Sequence, residues 1–267
     1  MNRLDYLIDY LLKEDSQYSE MEIPSDLQGK RDLFRALRNV RWPKPVSEEF
    51  LRLQDEELQE QLQEKGVVEL NACRDAINRV STNKSLLLWQ GDITRLKVDA
   101  IVNAANSQML GCFHPLHRCI DNAIHSAAGV QLRGECHQLM LQQGHEEPTG
   151  QAKITKAYNL PCKYVIHTVG PIIPTGIPTP MQKELLASCY RSIIQLADEN
   201  QLESVAFCCI STGEFRFPNR LAAEIAVQTV KDFLTEHPDC SVKQLVFNVF
   251  KEVDKRIYEG ILKIESV

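Results

Sequence analysis

The sequence predicts a three-layer α/β fold, in which a helical N-terminal region precedes a mixed, largely parallel sheet covered by helices on both faces. Three observations support this prediction. Apolar residues recur at helical spacing up to about residue 84, the composition changes at Ser85, and short apolar segments then alternate with amphipathic ones. Such alternation is typical of a parallel sheet between two helical layers. We therefore divide the chain into a helical extension, residues 1–84, and an α/β domain, residues 85–267.

The N-terminal extension contains three amphipathic segments. Apolar residues three and four positions apart predict helices within residues 4–12, 33–40 and 50–62. Pro43 and Pro45 break the chain between the second and the third segment. No pattern in this region indicates chemistry, so we expect it to pack against the rest of the chain. Docking of a substrate protein is a further hypothesis for it.

The elements of the α/β domain follow in order. Strands are predicted at residues 85–90, 100–103, 152–157, 164–169, 205–210 and 245–249. Helices are predicted at residues 118–142, as one or two segments, and at 181–200, 219–236 and 251–264. Ligands of such sheets bind outside the carboxyl ends of the strands. This rule brings together four loops, which are residues 91–96, 103–121, 170–180 and 211–218.

Charge and apolar patterning exclude two classes of partner. The 30 basic and 36 acidic residues give a net charge of −6, and a phosphate backbone repels such a chain, so we expect no nucleic-acid partner. Asp5 and Asp9 interrupt the first apolar residues, unlike a signal peptide, and no apolar run is long enough for a membrane span. Nine cysteines without a secretory signal predict a reducing, cytoplasmic environment.

The loop before the first helix of the α/β domain carries a dense set of metal-binding side chains, which are Cys112, His114, His117 and Cys119. Thiolate and imidazole are ligands that zinc prefers, and three of them leave an open coordination position, as in catalytic sites. Spacing alone does not rank the two histidines. A helix that begins near residue 118 would place Asp121 beside the metal. Buried free thiols and a redox pair are the alternatives.

Two other loops have features of a ligand site. Asp92 follows a strand, where its carboxylate can accept a hydrogen bond from an exocyclic amine or a ribose hydroxyl, or else cap a short helix. In the loop of residues 211–218, Gly213 allows close backbone approach, and the next helix offers unpaired amides. An acidic protein can bind a diphosphate in this way. The alternative is an ordinary connection with two core aromatics, Phe215 and Phe217.

Together these loops resemble the macrodomain family of ADP-ribose-binding proteins, over roughly residues 85–265. The matching motifs are Gly91-Asp92-Ile93-Thr94, Val98 to Ser107, Asp121-Asn122-Ala123-Ile124-His125 with Ala127-Ala128-Gly129, His167-Thr168-Val169-Gly170-Pro171, and Ile210-Ser211-Thr212-Gly213. The usual hydrolytic macrodomain has a run of glycines where this chain has residues 112–119. That segment resembles the microbial zinc-containing branch, whose pattern Gly-Cys-Phe-x-Pro-x-His-x-Cys-Ile-Asp-Asn matches residues 111–122.

The resemblance implies individual roles for these residues. It implies one Zn²⁺ per chain, bound by Cys112, His117 and Cys119. It implies that Asp121 and Asn106 are catalytic and that Asn106 contacts the distal ribose. The other residues that it implies for ADP-ribose binding are Asp92, Ile93, Ser211, Thr212, Gly213, Glu214 and Phe215.

Three further residues are interpreted beside this set. Arg216 stands where many other macrodomains have glycine, on the phosphate side of the site. His125 lies four residues after the aspartate of the helix motif, on the same helix face, and we interpret it as a packed helix residue, with a proton shuttle as the alternative. His167 lies in a predicted strand and is interpreted as buried structure.

The resemblance also implies an activity: a zinc-dependent hydrolase that removes mono-ADP-ribose from modified proteins. Zinc would lower the pKa of a bound water or bind the ribose, and Asp121 would orient the water or act as base. Several members of the branch occur beside a sirtuin-type transferase and a lipoyl carrier protein in an oxidative-stress system, which makes a lipoyl carrier protein the hypothetical substrate. The alternatives are a non-catalytic ADP-ribose-binding module, an O-acetyl-ADP-ribose deacetylase and a redox-sensing thiol protein.

Overall fold

The N-terminal extension folds into three helices. The computed structural model describes residues 2–73, 76–81 and 83–262. The helices are α1 (Arg3–Glu14), α2 (Leu27–Val40) and α3 (Glu48–Lys65), and each begins after a side chain that accepts a backbone N–H bond. Their apolar faces enclose a small core of their own, which is formed by Leu4, Leu7, Ile8, Leu11, Leu12, Phe34, Leu37 and Phe50. The three predicted helices of the extension are confirmed.

The stretch after α3 departs from the prediction that the chain is helical up to residue 84. It contains two strands, β1 (Val68–Glu69) and β2 (Ala76–Ser81). β2 pairs antiparallel with β3 (Lys84–Gln90), and β1 pairs in parallel with β4 (Leu96–Lys97). β1 and β4 form a separate sheet of two strands, and β2 lies at the edge of the large sheet. β1 has only two residues, and β2, although it has six, lies at the edge of the sheet and carries no strict apolar alternation, so the sequence pattern did not reveal them.

The other strands are β5 (Ala100–Ala105), β6 (Ala152–Lys156), β7 (Tyr164–Val169), β8 (Ser204–Phe207) and β9 (Gln244–Val249). With β2 and β3 they form a sheet of seven strands in the order β2-β3-β9-β8-β5-β7-β6. Both edge strands run antiparallel to their neighbours, while all interior pairs are parallel. The predicted mixed, largely parallel sheet is therefore confirmed.

The helices of the second region are α4 (Ile120–Ala128), α5 (Val130–Gln143), α6 (Pro180–Glu199), α7 (Asn219–Glu236) and α8 (Glu252–Leu262). The predicted segment 118–142 is two helices because Gly129 separates them with a φ of 99°. The last predicted helix is found up to Leu262, and its two further predicted residues lie outside the described ones. None of the helices in the described ranges combines the length and apolar character that a membrane crossing requires.

The connections of the sheet place the helices in two layers and mark one crevice. From β5 the chain passes through α4 and α5 toward β7, and from β7 it returns through α6 to β8 and through α7 to β9. Right-handed crossovers in opposite directions put these helices on opposite faces of the sheet, which gives three layers. The direction reverses between β5 and β8, and such a switch point is where open α/β sheets bind ligands.

Candidate metal and ligand site

The loops after β3, β5, β7 and β8 meet along one edge of the sheet. The backbone N–H of Ile173, after β7, donates to the carbonyl of Phe215, after β8, at 2.8 Å. Nε2 of His117, after β5, lies 3.7 Å from Oε1 of Glu214. The β3 loop joins the same edge, because the Gly91 N–H donates to the last carbonyl of β9 at 2.9 Å. The four loops therefore surround the crevice between β5 and β8.

Cys112, His117 and Cys119 form a cluster in the β5 loop. Each side chain is half-buried, and one donor atom from each lies within 4.8 Å of the other two. Cys112 Sγ is 3.6 Å from His117 Nδ1. Ligand bonds of about 2.0–2.3 Å to a tetrahedral ion place neighbouring donors roughly 3.5–4 Å apart, so these residues fit one metal ion. His114 is exposed and lies outside the cluster. The structure thus brings together the three residues that were predicted as ligands.

Local hydrogen bonds shape the loop that carries these donors. Cys119 Sγ accepts the backbone N–H of Asn122 at 3.4 Å and caps α4. Asn122 Nδ2 and the His117 N–H both donate to the carbonyl of His114, at 3.0 Å and 3.3 Å. Leu116 takes the left-handed conformation, with a φ of 55°, and reverses the chain just before His117. The turn therefore aims two potential ligands, at 117 and 119, back toward Cys112.

The electrostatics of the cluster favour a bound cation. Burial raises the pKa of the Cys119 thiol to about 12, and the nearby Cys112 and Asp121 raise it too, although the Asn122 amide lowers it. Two thiolates at this distance repel each other in a half-buried site. A bound divalent cation would offset this repulsion, because it stabilises both thiolates directly.

Asp121 is buried in the first turn of α4, two residues after the cluster. Its Oδ1 accepts a hydrogen bond from Asn103 Nδ2 at 2.8 Å. Burial raises the pKa of the Asp121 carboxyl to about 6, although the Asn103 hydrogen bond and the charge of Arg133 act in the other direction. Nε2 of His125 is 3.5 Å away, but burial holds the pKa of His125 well below its ordinary value, so the contact is not an ion pair. Asn103 was not predicted as a site residue, although it begins the Asn-Ala-Ala-Asn motif.

A second group of donors lies in the protein interior, formed by His125, Cys136 and His167. Asn103 Nδ2 lies 3.1 Å from His167 Nδ1, and Thr155 Oγ1 lies 2.9 Å from His167 Nε2. The amide N–H is a donor, so His167 Nδ1 accepts and its Nε2–H donates to the threonine. Burial lowers the pKa of His167 to about 3, so the ring is neutral. Both nitrogens of His167 are engaged, so this ring belongs to a packed polar network, in line with its interpretation as buried structure. Both ring nitrogens of His125 are buried without a hydrogen-bond partner among the described residues.

The side chain of Asn106 forms hydrogen bonds within its own loop. Its Oδ1 accepts the backbone N–H groups of Gln108 and Met109, both at 3.1 Å. Its Nδ2 donates to the carbonyl of Gly111 at 3.1 Å. Asn106 therefore holds the chain that leads into Cys112, and its predicted contact with a ribose stays a prediction.

Asp92 lies at the β3 end of the crevice and caps a short turn. Its Oδ1 accepts the Thr94 N–H at 3.0 Å and the Thr94 hydroxyl at 2.6 Å, so the capping alternative is observed. Its Oδ2 is 3.9 Å from Lys65 Nζ, and the side chain is 35% exposed. One carboxylate oxygen therefore remains open to a ligand. Ile93 has its side chain in the core, which leaves its backbone as the part that a ligand can contact.

Phe250 is a feature of this end that the sequence did not single out. It directly follows β9, in which Val249 pairs with Gln90, so it lies beside the Asp92 loop. Its ring is 76% exposed, which is rare for a phenylalanine that has neighbours to pack on. The signal in the sequence was an apolar residue just beyond the carboxyl end of a strand.

The loop after β8 has a strained, closed backbone. Ser211 and Arg216 adopt φ values of 64° and 58°, so both take a left-handed conformation that favours glycine. The Phe217 N–H donates to the Ser211 carbonyl at 2.9 Å and the Arg216 N–H to the Gly213 carbonyl at 3.0 Å. A Cβ on Gly170 would overlap Ser211 Oγ, so a glycine there lets two loops touch.

The tip of the same loop presents amides to the crevice edge. Within the described part of the chain, the backbone N–H groups of Gly213, Glu214 and Phe215 donate to no protein acceptor. The backbone N–H and the hydroxyl of Thr212 both donate to the Cys209 carbonyl, at 3.4 Å and 3.0 Å. Successive unpaired amides in a tight turn form a concave donor surface for anions.

Comparison with known proteins agrees with this geometry. The Macro domain family model matches residues 102–226. A relative from Treponema medium named protein-ADP-ribose hydrolase is 53% identical over 257 residues, which cover 96% of this chain and 97% of that protein. A protein of the same name from Staphylococcus aureus (strain MSSA476) is 47% identical over 257 residues, covering 96% of this chain and 94% of that protein.

Solved structures show the same similarity. The Trypanosoma brucei macrodomain in complex with ADP-ribose is 31% identical, with a TM-score of 0.64, and the match covers 84% of this chain and 93% of that one. The Oceanobacillus iheyensis macrodomain with ADP is 40% identical, with a TM-score of 0.62, and the match covers 70% of this chain and 94% of that one. On this similarity in sequence and in fold, the chain belongs to the macrodomain family.

Proposed function

We propose that the chain is a zinc-dependent hydrolase that removes mono-ADP-ribose from modified proteins. The observation that carries this proposal is the cluster of Cys112, His117 and Cys119 placed directly before the buried Asp121, at the switch point of the sheet. Two full-length relatives named protein-ADP-ribose hydrolase support the same activity.

The adenosine end of ADP-ribose would lie along the β3 and β9 loops. Asp92 Oδ2 is open to the exocyclic amine of adenine, while Oδ1 stays bound to Thr94. Ile93 contributes its backbone to the same edge of the base. The exposed ring of Phe250 offers a face on which the base can stack, and such stacking contributes about 1–3 kcal/mol.

The diphosphate would bind in the loop after β8. The unpaired amides of Gly213, Glu214 and Phe215 supply donors without a basic side chain, which suits a chain of net charge −6. Ser211 and Thr212 fix the start of this turn through their backbone conformation and the threonine hydroxyl bond.

The reacting end of the substrate would lie between the β5 loop and α4. A zinc ion held by Cys112, His117 and Cys119 supplies a Lewis acid there, which can activate water or fix ribose hydroxyls. Asp121 is the base or water-orienting group, and Asn103 fixes its rotamer by holding Oδ1. Asn106 keeps the approach to Cys112 in place and positions the distal ribose.

The proposed target is a mono-ADP-ribosylated lipoyl carrier protein in the cytoplasm, in a response to oxidative stress. Support comes from the resemblance of residues 111–122 to the zinc-containing branch. A comparison of ADP-ribose release from a modified lipoyl carrier protein and from an unrelated protein with the same linkage tests the target. Equal rates on both substrates would contradict that choice and leave the hydrolase intact.

The deciding experiment measures release of free ADP-ribose from an automodified protein by the purified enzyme, before and after treatment with a strong chelator. We expect release by the zinc-loaded protein, loss after chelation and recovery on addition of Zn²⁺. Full-rate release by metal-free protein would contradict the role of zinc. Tight ADP-ribose binding without release would identify a binding module, and preferential turnover of O-acetyl-ADP-ribose would identify a deacetylase.

A further inference from the structure

Helix α2 of the N-terminal extension lies directly against the loop that carries the three potential metal ligands. Arg35 Nη2 donates to the His117 carbonyl at 3.0 Å and to Asn122 Oδ1 at 2.6 Å. Asn39 Oδ1 accepts the backbone N–H of Leu116 at 3.0 Å. The contacts therefore fix the loop backbone on both sides of the bond between Leu116 and His117.

The same face of α2 continues onto α4. Arg38 Nη1 donates to the Ser126 carbonyl at 2.9 Å, and Asn39 Nδ2 donates to the Ser126 hydroxyl at 3.0 Å. Residues 35, 38 and 39 are three and four positions apart, so they share one face of the helix. Phe34 and Leu37 pack in the core of the extension instead. The apolar face of α2 therefore packs within the extension, and its polar face is hydrogen-bonded to the α/β domain.

The α/β domain also donates hydrogen bonds to the end of α2. Arg133 Nη1, from α5, donates to the carbonyls of Arg38, Asn39 and Arg41 at 2.9, 2.9 and 2.7 Å. Its Nη2 lies 3.4 Å from the carbonyl of Cys112. Among the described residues it has no ion pair with a carboxylate. The carbonyls at the C-terminus of α2 carry partial negative charge and contact the guanidinium directly, and the charge of Asp121 acts on it from farther away.

The outer side of the loop is held by stacked rings. The guanidinium carbon of Arg133 lies 4.3 Å above the ring centroid of Phe113, the residue after Cys112. Trp42 stacks on Phe113 with a centroid separation of 5.9 Å and an interplanar angle of 18°. Trp42 follows α2 closely in the chain, so the extension contacts the loop near its first donor as well as near its second.

We propose that Arg35 and Asn39 are positioning residues, which hold residues 112–119 in the conformation that binds the metal. This inference rests on the proposed function, because it takes Cys112, His117 and Cys119 as the ligands. Groups that orient metal ligands through hydrogen bonds typically change metal affinity when they are removed. The N-terminal extension would then be part of the metal site, beyond packing.

The test measures zinc affinity of the full chain by competition with a chromogenic chelator. Arg35→Ala and Asn39→Ala should each weaken zinc binding by about 10- to 100-fold, the range expected for loss of a group that orients ligands. ADP-ribose affinity, measured by calorimetry, should stay near that of the unchanged protein in Asn39→Ala, because the Asn39 side chain hydrogen-bonds only to Leu116 and Ser126 among the described residues.

A matched control separates this role from general loosening of the helix. Arg31 lies on α2 one turn earlier and forms ion pairs with Glu57 and Glu64 of α3, away from the loop. Arg31→Ala should lower the melting temperature yet leave zinc affinity unchanged. In cobalt-substituted protein, Arg35→Ala should also shift the d–d absorption bands, since the coordination geometry changes, whereas Arg31→Ala should not.

The outcomes distinguish this inference from the proposed function. Equal zinc affinity and equal cobalt spectra for Arg35→Ala and Arg31→Ala would overturn the inference, even if Cys119→Ala abolishes zinc binding. Retention of full zinc affinity by Cys119→Ala would instead remove the metal site itself. Weaker zinc binding and a shifted cobalt spectrum in Arg35→Ala, with neither change in Arg31→Ala, would support both the inference and the metal site.

Discussion

Two residues of the site combine an observed structural role with a proposed role in binding a ligand. Cys119 caps α4 through its Sγ and is also a proposed zinc ligand. Asp92 caps a turn with one oxygen and leaves the other open. A variant at such a position changes stability and binding together, so each prediction at this scale needs a partner variant that separates the two.

We expect Cys119→Ala to lose zinc and hydrolysis while it keeps ADP-ribose affinity. Loss of a helix cap costs about 1 kcal/mol, and Cys119→Ser restores a capping oxygen but not the thiolate ligand. Elemental analysis measures the zinc content, the melting temperature reports the lost helix cap, and calorimetry gives the ADP-ribose affinity. Release of free ADP-ribose measures hydrolysis. Cys240→Ala, at a buried thiol outside the cluster, is the control and should keep its zinc. Full activity in zinc-free Cys119→Ser would contradict the proposed mechanism.

Asp92→Asn and Asp92→Ala should both weaken ADP-ribose binding, by about 1–3 kcal/mol, because neither presents a carboxylate to the adenine amine. Only Asp92→Ala should also lower the melting temperature, since asparagine can still accept the Thr94 N–H. Zinc content should be unchanged in both. Calorimetry measures the affinity, and an unaltered value for Asp92→Asn would remove the adenine assignment.

The residues of the site differ in how far the sequence could predict them. Cys112, His114, His117 and Cys119 lie within eight positions, so their spacing indicated a metal site, and the resemblance then selected His117 over His114. The partner of Asp121 is 18 residues away, and the contact of Arg35 with Asn122 spans 87 residues. Contacts at such separations depend on tertiary packing, which local patterns do not contain.

At the scale of elements, Asp99 joins three parallel strands at the end of the sheet opposite the site. It directly precedes β5, and its Oδ2 accepts the N–H groups of Glu203 and Ser204, at 2.9 and 3.0 Å, where β8 begins. Its Oδ1 lies 2.6 Å from Lys163 Nζ, just before β7. Burial alone would raise the pKa of Asp99, but these hydrogen bonds outweigh it and hold the pKa below its ordinary value.

Asp99→Asn should therefore destabilise the fold at neutral pH, by about 1.5–3 kcal/mol, with ADP-ribose affinity unchanged. A carboxylate whose folded pKa is lowered contributes stability above its unfolded pKa and loses it as pH falls through the folded value. The difference between the unchanged chain and the variant should shrink below about pH 4. Urea unfolding at several pH values measures this, with Asp239→Asn, at an exposed position, as control. A pH-independent difference would contradict the assignment.

The elements themselves were predicted unevenly. The buried strands β3, β5, β7 and β9 are nearly continuous apolar runs, and the sequence predicted all four. β1 was missed because it has only two residues, and β2 because it is an edge strand without strict apolar alternation. Parallel topology then placed the functional loops correctly, since the carboxyl ends of parallel strands share one edge.

At the scale of the whole molecule, zinc should contribute to global stability. The cluster sits in a loop that contacts α2, α4 and α5, so an ion bound there couples the extension to the α/β domain. A ligand that binds only the folded state stabilises it by about 2.7 kcal/mol when its concentration is 100 times its Kd. For a chain of this size we expect a rise in Tm of roughly 5–10 °C.

Differential scanning fluorimetry with and without a chelator measures this effect. Chelation should lower the Tm of the unchanged chain and leave that of Cys119→Ala unmoved, because that variant has no ion to lose. An equal shift in both would mean that the chelator acts elsewhere.

The contacts of Arg133 link the N-terminal extension and the cysteine loop in the evolution of this chain and its relatives. One guanidinium group serves three carbonyls at the end of α2 and contacts a fourth next to a proposed ligand. Loss of the helical extension would leave the Arg133 guanidinium buried without these acceptors. A shortened cysteine loop would remove the backbone groups that the α2 side chains bind. We therefore expect the extension, Arg133 and the loop to be inherited or lost as a unit.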